Sequence, residues 1–220
     1  MGKSALYRQV EHLHQQAKFT FIKQSREDPY GTLVPLMLAQ DELVEEEAFL
    51  YLTGDDFVYY ADEKKSYISE LIEVFQQAGG AAAAVSSVQI SPEKVSRFGV
   101  LGTEMAEGKK WLKRIVEKPS LAEAPSNLIN ISKYVLTPEV FSIIRQQEAN
   151  PSNQEFYVTD ALQSFAKNHR VLVHETQGKY LNTGDPASWL KANLTVAGNS
   201  PELKKELISF LKKEWGLETS

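Results

Sequence analysis

Apolar positions along the chain recur at two spacings, and their alternation sketches an order of elements. In "SALYRQVEHLHQQA" Leu6, Val10 and Leu13 follow Ser4 at helical spacing, which predicts a surface helix over 4–16. "KFTFIKQ" then alternates apolar and polar residues from Phe19 to Gln24, the pattern of a strand, and runs into the polar loop "SREDPYG". Residues 33–40, "LVPLMLAQ", read as a buried helix with Pro35 in its first turn. "AFLYLTGDD" follows as a continuous apolar strand, the kind that a sheet covered on both faces requires. "SYISELIEVFQQAGG" places apolar residues at 68, 71, 72 and 75 before a glycine stop, an amphipathic helix that returns the chain to the sheet.

After the strand "AAAAVSSVQI" the texture changes. "RFGVLGTEM", "EGKKWLKRIVEKP" and "SNLINISKYVLTP" read as strands separated by Gly and charged turns, hence antiparallel additions to a parallel core. Helices are expected at "PEVFSIIRQQ" and "VTDALQSFAKN", around a disordered-looking "EANPSNQE", and one more strand at "RVLVHET". "DPASWLKANLTVAG" and "SPELKKELISFLKKEWG" close the chain as two helices. Strands alternating with helices imply an α/β fold with an open, mostly parallel sheet, whose ligands bind beyond the carboxyl ends of the strands. No repeat or low-complexity segment interrupts residues 1–220, which are read as one domain with C-terminal helices over 186–217.

Composition narrows the chemistry. At 220 residues, 42 % hydrophobic and 24 % charged, the chain has the make-up of an ordinary globular domain. It has no apolar run near the ~20 residues of a membrane span and no leader pattern, so a cytoplasmic location is expected. Without cysteine, a metal has only oxygen or histidine ligands to use. The net charge of −5, from 24 basic and 29 acidic residues, argues against nucleic acid and leaves a small phosphorylated ligand open.

Asp55 and Asp56 end the apolar strand "FLYLTGDD" at the edge where such sheets bind ligands. Carboxylates there face phosphates only across a divalent cation, so the pair is either a metal site or a plain Gly-Asp turn.

Several stretches, taken in order, resemble the bacterial UTP–glucose-1-phosphate uridylyltransferases, a branch of the sugar-phosphate nucleotidyltransferase superfamily. They are "IKQSREDPYGT", "FLYLTGDDF", "RIVEKPSLAEAPSNLINISKYVLTPEVF", "EFYVTDAL" and "GKYLNTGDPASWLKANL". The resemblance implies a Rossmann-like nucleotide-diphospho-sugar transferase fold and an in-line displacement. In it the sugar phosphate attacks the α-phosphorus of UTP and expels pyrophosphate, with Mg²⁺ and cationic side chains neutralising the transition state. UTP, UDP-glucose and glucose 1-phosphate are the implied ligands. By that resemblance Asp55 is a metal ligand with Asp56 its neighbour, Glu117 binds sugar hydroxyls, and Lys118 meets the phosphate. Gly99 lies against the sugar, while Gln24 and Gly31 fall where the base is read.

The chain also departs from the pattern. Leu33 and Val34 stand where the base loop usually has another glycine and a polar residue, and Asn182 stands where an aspartate commonly gives a second metal ligand. Asp185 either compensates or caps the next helix. The Gly-rich loop with its essential Arg is missing from the beginning, so the implied fold is N-terminally truncated. Three explanations stay open: a fragment, a loop supplied by another chain, or a relative that binds without turnover. Apolar sheet edges left uncovered would then favour association, with a like copy or with a chain supplying that part.

The remaining features read plainly. His12, His14, His169 and His174 have no partners at metal-ligand spacing. The stripe Leu203, Leu207, Phe210, Leu211 and Trp215 is a packing face or dimer contact. "LVEEE" is a solvated loop, and "KKWLKR" in an acidic chain is weak evidence for nucleic acid.

Overall fold

The computed structural model describes residues 4, 7–8, 11–61 and 66–216. Its centre is a six-stranded sheet in the order β1-β6-β3-β7-β5-β4, built from β1 (Phe49–Leu52), β3 (Ala83–Gln89), β4 (Gly99–Ala106), β5 (Lys109–Glu117), β6 (Leu128–Leu136) and β7 (Val171–Glu175). The pairings send β1, β3, β4 and β7 one way and β5 and β6 the other. Because β6 is inserted between β1 and β3, the parallel ladder is β3–β7 and the remaining ladders are antiparallel. The Rossmann-like mixed sheet with antiparallel additions is therefore present. Four of its six strands share one direction.

Helices cover both faces. On one side α2 (Val34–Leu38), α5 (Val140–Ile144) and α6 (Val158–Phe165) pack Leu36, Phe141, Leu162 and Phe165 against Phe49, Val85 and Leu136. On the other, α4 (Tyr67–Gln77) packs Leu71 against Ala84, Val135 and Leu172. Helix α4 begins where the pattern placed it, with the Ser66 side chain accepting from the Ser69 N–H, and ends before Gly79 and Gly80, both at positive φ. Central β6 is buried along almost its whole length, as its apolar run requires.

Several expectations need correcting. The opening helix falls partly outside the described residues, Leu6 and Val10 included; α1 (Leu13–Gln16) is its described end. Phe19–Gln24 forms no strand: it has no ladder partner among the described residues, and Phe19 and Phe21 are exposed. Alternation supplies a strand's two faces, but without a neighbour its backbone groups bond to water instead. The helix over 33–40 is two short ones, α2 and then α3 (Gln40–Leu43), broken at Ala39. "EANPSNQE" is ordered by a backbone turn in which Asn150 accepts from Gln154 and donates to Glu155. A second sheet was not foreseen: β2 (Asp56–Tyr59) pairs antiparallel with β8 (Lys179–Asn182).

Helices α7 (Pro186–Asn199) and α8 (Pro201–Trp215) follow β8. They meet at Ser200–Pro201, and α8 buries none of its residues: Leu203, Phe210 and Trp215 remain exposed. Among the described residues no helix is long and apolar enough to cross a membrane.

Candidate functional site

Where β6 and the adjoining ends of β4 and β5 meet the small β2–β8 sheet, a cleft of about 370 Å³ opens. It gathers six of the side chains or backbone positions singled out from the sequence: Asp55, Asp56, Gly99, Glu117, Lys118 and Asn182. The elements explain the convergence. Asp55 follows β1, Gly99 opens β4 and pairs across the ladder with Glu117 at the end of β5, and Asn182 ends β8 opposite Asp56.

Glu117 is wedged rather than solvated. The Thr159 hydroxyl on α6 donates to its Oε2 at 3.1 Å, and a Cβ on Gly99 would stand 3.0 Å from the same oxygen. Burial pushes its carboxyl above the usual carboxylate range, while the Thr159 hydroxyl and the Lys118 ammonium oppose the shift. Lys118 itself sits at φ 44°, a left-handed conformation that costs a side chain energy, with its ammonium 5.9 Å from the Tyr157 ring centre. Ser132, also lining the cleft, has φ 53°. Both are non-glycine residues in a conformation that the surrounding structure must hold.

The acids separate into different roles. Asp55 is exposed, and its carboxylate has no ion-pair partner among the described residues; its backbone carbonyl accepts from Thr183 N–H at 2.7 Å. The Asp56 side chain is covered and paired with Lys133, and its Oδ2 accepts from the Tyr180 hydroxyl at 3.1 Å. Asp55 Oδ2 and Asn182 Oδ1 lie 3.4 and 3.5 Å from the point where a Cβ on Gly184 would sit. The absent side chain leaves room where the two oxygens converge. One carboxylate and one amide oxygen fit a hard divalent cation that keeps most of its water, held loosely. Among the described residues no group of three or more His, Cys, Asp or Glu could hold a metal ion.

The base-reading candidates lie apart from this centre. Gly31 (φ 132°) packs so closely that a Cβ would fall 2.2 Å from Phe156 O; only glycine lets the loop dock there. Its neighbour Thr32 reaches the cleft and accepts from Val158 N–H at 3.1 Å. Gln24 is exposed and not among the lining residues; its amide closes its own loop on Pro29 O at 3.0 Å. Leu33 and Val34 are buried core. Asp185 caps α7 by accepting from Ser188 N–H at 2.9 Å and lies 3.9 Å from Arg97, so its capping reading holds.

Sequence reasoning missed Arg97, Lys133, Thr159 and Tyr180. Lys133 left a usable signal: a lone cation inside the apolar strand "LINISKYVL" cannot stay buried without an acid opposite. The histidines have ordinary settings: His169 stacks on Phe165 and His12 lies 3.4 Å from Glu11, while the His14 side chain is outside the described residues. His174 lies 3.8 Å from Glu70, and burial lowers its pKa.

A mixed sheet with an acid-and-cation cleft beyond its strand ends is an architecture in which nucleotide-binding α/β proteins hold their ligands. The family model for the nucleotidyl transferases matches residues 3–199, and the chain belongs to that family. The UTP–glucose-1-phosphate uridylyltransferase of Staphylococcus haemolyticus is 28 % identical over 214 residues, 96 % of this chain and 71 % of that protein. The protein named UTP–glucose-1-phosphate uridylyltransferase 2 from Streptococcus pyogenes is 32 % identical over 194 residues, 87 % of this chain and 63 % of that protein. A crystal structure of apo UDP-glucose pyrophosphorylase superposes with a TM-score of 0.79 at 25 % identity, covering 89 % of this chain and 70 % of that one. The resemblance read from the sequence is borne out in family and fold.

Proposed function

We propose that the cleft binds a uridine sugar nucleotide and serves the transfer of a uridylyl group from UTP to glucose 1-phosphate, releasing pyrophosphate. The observation that carries the reading is the convergence of Asp55, Gly99 and the Glu117–Lys118 pair from three separate places in the chain on one cleft. Glu117 accepts from sugar hydroxyls, held against Gly99 by Thr159. Lys118, and beside it Arg97, meet phosphate oxygens. A sugar-phosphate oxygen forms the new bond to the α-phosphorus as the bond to pyrophosphate breaks, so no protein nucleophile is needed. Asp55 and Asn182 hold a divalent cation, Mg²⁺ by the hardness of the oxygen ligands, which when bound supplies neutralisation of the phosphate charge.

By itself this chain turns over little or nothing, because no Gly-rich loop bearing Arg stands among its 220 residues to cradle the triphosphate. Association with a like copy, or with a chain supplying such a loop, belongs to the same reading. Asn182 in the second ligand position favours the alternative that the chain binds sugar nucleotide without catalysis, since an amide brings no charge to the cation. Calorimetry with UDP-glucose and with glucose 1-phosphate tests the shared part, and binding of neither would end both readings. Formation of UDP-glucose from UTP and glucose 1-phosphate then separates enzyme from binder.

A further inference from the structure

The buried cation nearest the two acids has no part in the reading above. Lys133 enters from β6, and its ammonium is paired with Asp56; the two side chains are 5 % and 8 % exposed. It also donates to Thr53 Oγ1 at 3.3 Å and to Ile131 O at 3.4 Å. Asp56 lines the cleft, whereas Lys133 stands behind it. On its other oxygen Asp56 accepts from Tyr180, whose hydroxyl also receives the Asn182 amide at 3.4 Å. The Asn182 oxygen in turn accepts from Gly184 N–H at 2.8 Å, so the amide is fixed with its oxygen beside Gly184, the glycine whose absent Cβ would also stand 3.4 Å from Asp55 Oδ2. A single chain of contacts thus runs from the core of the large sheet, across the small one, to the second candidate ligand of the cation.

We propose that Lys133 is a positioning residue that acts as an internal counter-cation. By occupying Asp56 it removes that carboxylate from the ligand set, and through Tyr180 it fixes the Asn182 side chain. Two acids and one ammonium leave a single net negative charge at the site. Cation affinity in such oxygen sites rises with the number of charged ligands, so the cation binds weakly alone and gains its remaining ligands from nucleotide phosphates. Ion and nucleotide binding are then mutually reinforcing, because each raises the affinity of the other by the same factor. Without Lys133 the adjacent carboxylates would form a two-acid site that holds the ion with or without nucleotide. The inference rests on the cleft binding a sugar nucleotide and a divalent cation.

Mn²⁺ is the probe, its binding followed by electron paramagnetic resonance with and without UDP-glucose in the whole chain and its variants. Wild type binds Mn²⁺ weakly and gains affinity with UDP-glucose. Lys133→Met frees Asp56, raises Mn²⁺ affinity without nucleotide about tenfold, and narrows the gain from UDP-glucose; Lys133→Arg restores the wild-type pattern. Unchanged or weaker Mn²⁺ binding by a folded Lys133→Met protein overturns the proposal. Should the unpaired Asp56 prevent that variant from folding, Lys133→Met with Asp56→Asn removes both charges together. Its Mn²⁺ affinity stays within about twofold of wild type if Asp56 is no ligand, and a tenfold loss overturns the proposal. Failure of wild type to bind UDP-glucose at all is a different result, which removes the functional reading instead.

Discussion

Glu117 is under two opposed demands. Burial beside Thr159 and Gly99 raises its carboxyl pKa, so the ionised form is disfavoured where an acceptor for sugar hydroxyls needs it. A raised carboxyl contributes stability that is full below the unfolded pKa and is lost as pH rises through the folded one. Glu117→Gln is therefore expected to leave the melting temperature at neutral pH unchanged or higher, while UDP-glucose binding in calorimetry falls by about tenfold or more, some 1.4 kcal/mol. Acidification of the wild type takes the acceptor away as the carboxyl protonates, at a pH above the ordinary glutamate range, and the glutamine variant lacks that step. Gly99→Ala probes the same wedge from the other side. Its Cβ would meet Glu117 Oε2 at 3.0 Å and a Thr159 methyl at 3.2 Å, an overpacking worth roughly 1–3 kcal/mol in urea denaturation. Displacement of the carboxylate is expected to weaken sugar-nucleotide binding as well.

At this scale the sequence told some residues and hid others for physical reasons. Asp55 could be singled out because it ends an apolar strand, where polar groups collect at a ligand edge, whereas Glu117 and Lys118 were singled out only by the family resemblance. Thr159 and Tyr180 could not. A threonine in the first turn of "VTDALQSF" looks like any helix residue, and what matters is the distant strand it meets.

Among elements, the small β2–β8 sheet matters most for the site and was least legible. Its two strands have four residues each, too short for a pattern, and they pair across most of the chain. Helices α4 and α7 were legible because a capping side chain, Ser66 and Asp185, stands at the start of each. Helix α7 offers a test of that reading through its cap Asp185, which the sequence alone left open between cap and ligand. The Ser188 N–H bond lowers the Asp185 pKa, so the cap contributes stability above the unfolded pKa and loses it as pH falls through the folded one. Asp185→Asn, a competent neutral cap, is expected to keep the wild-type melting temperature and UDP-glucose affinity at neutral pH, and Asp185→Ala to lower the first without changing the second. A loss of Mn²⁺ binding in both variants would instead make Asp185 a ligand.

For the molecule as a whole, the failed strand at 19–24 and the edge of the large sheet pose the same problem. Among the described residues β1 pairs on one side only, with β6. Phe49 and Tyr51 turn into the core, stacking on Phe141 and Tyr134, while Leu50 and Leu52 on the other face are 38 % and 44 % exposed. Leu50 shares a groove with Ala48, Ile72 and Phe75, and Phe19, Phe21 and Ile22 stand exposed in an unpaired segment of suitable alternation. An unprotected strand edge with apolar residues recruits another strand, and this one has neither a charge nor a proline within Phe49–Leu52 to prevent it. Light scattering across a concentration series is expected to show species heavier than the 24.7 kDa chain, as the association reading requires. Leu50→Lys places a charge on that face and is expected to shift the mass to that of the single chain, with the core-facing Phe49 and Tyr51 untouched. Single-chain mass at every wild-type concentration would show that the edge does not recruit a partner. The cleft lies beyond the same strand at Asp55, so UDP-glucose binding by the Leu50→Lys protein decides whether association serves the site or only covers the sheet.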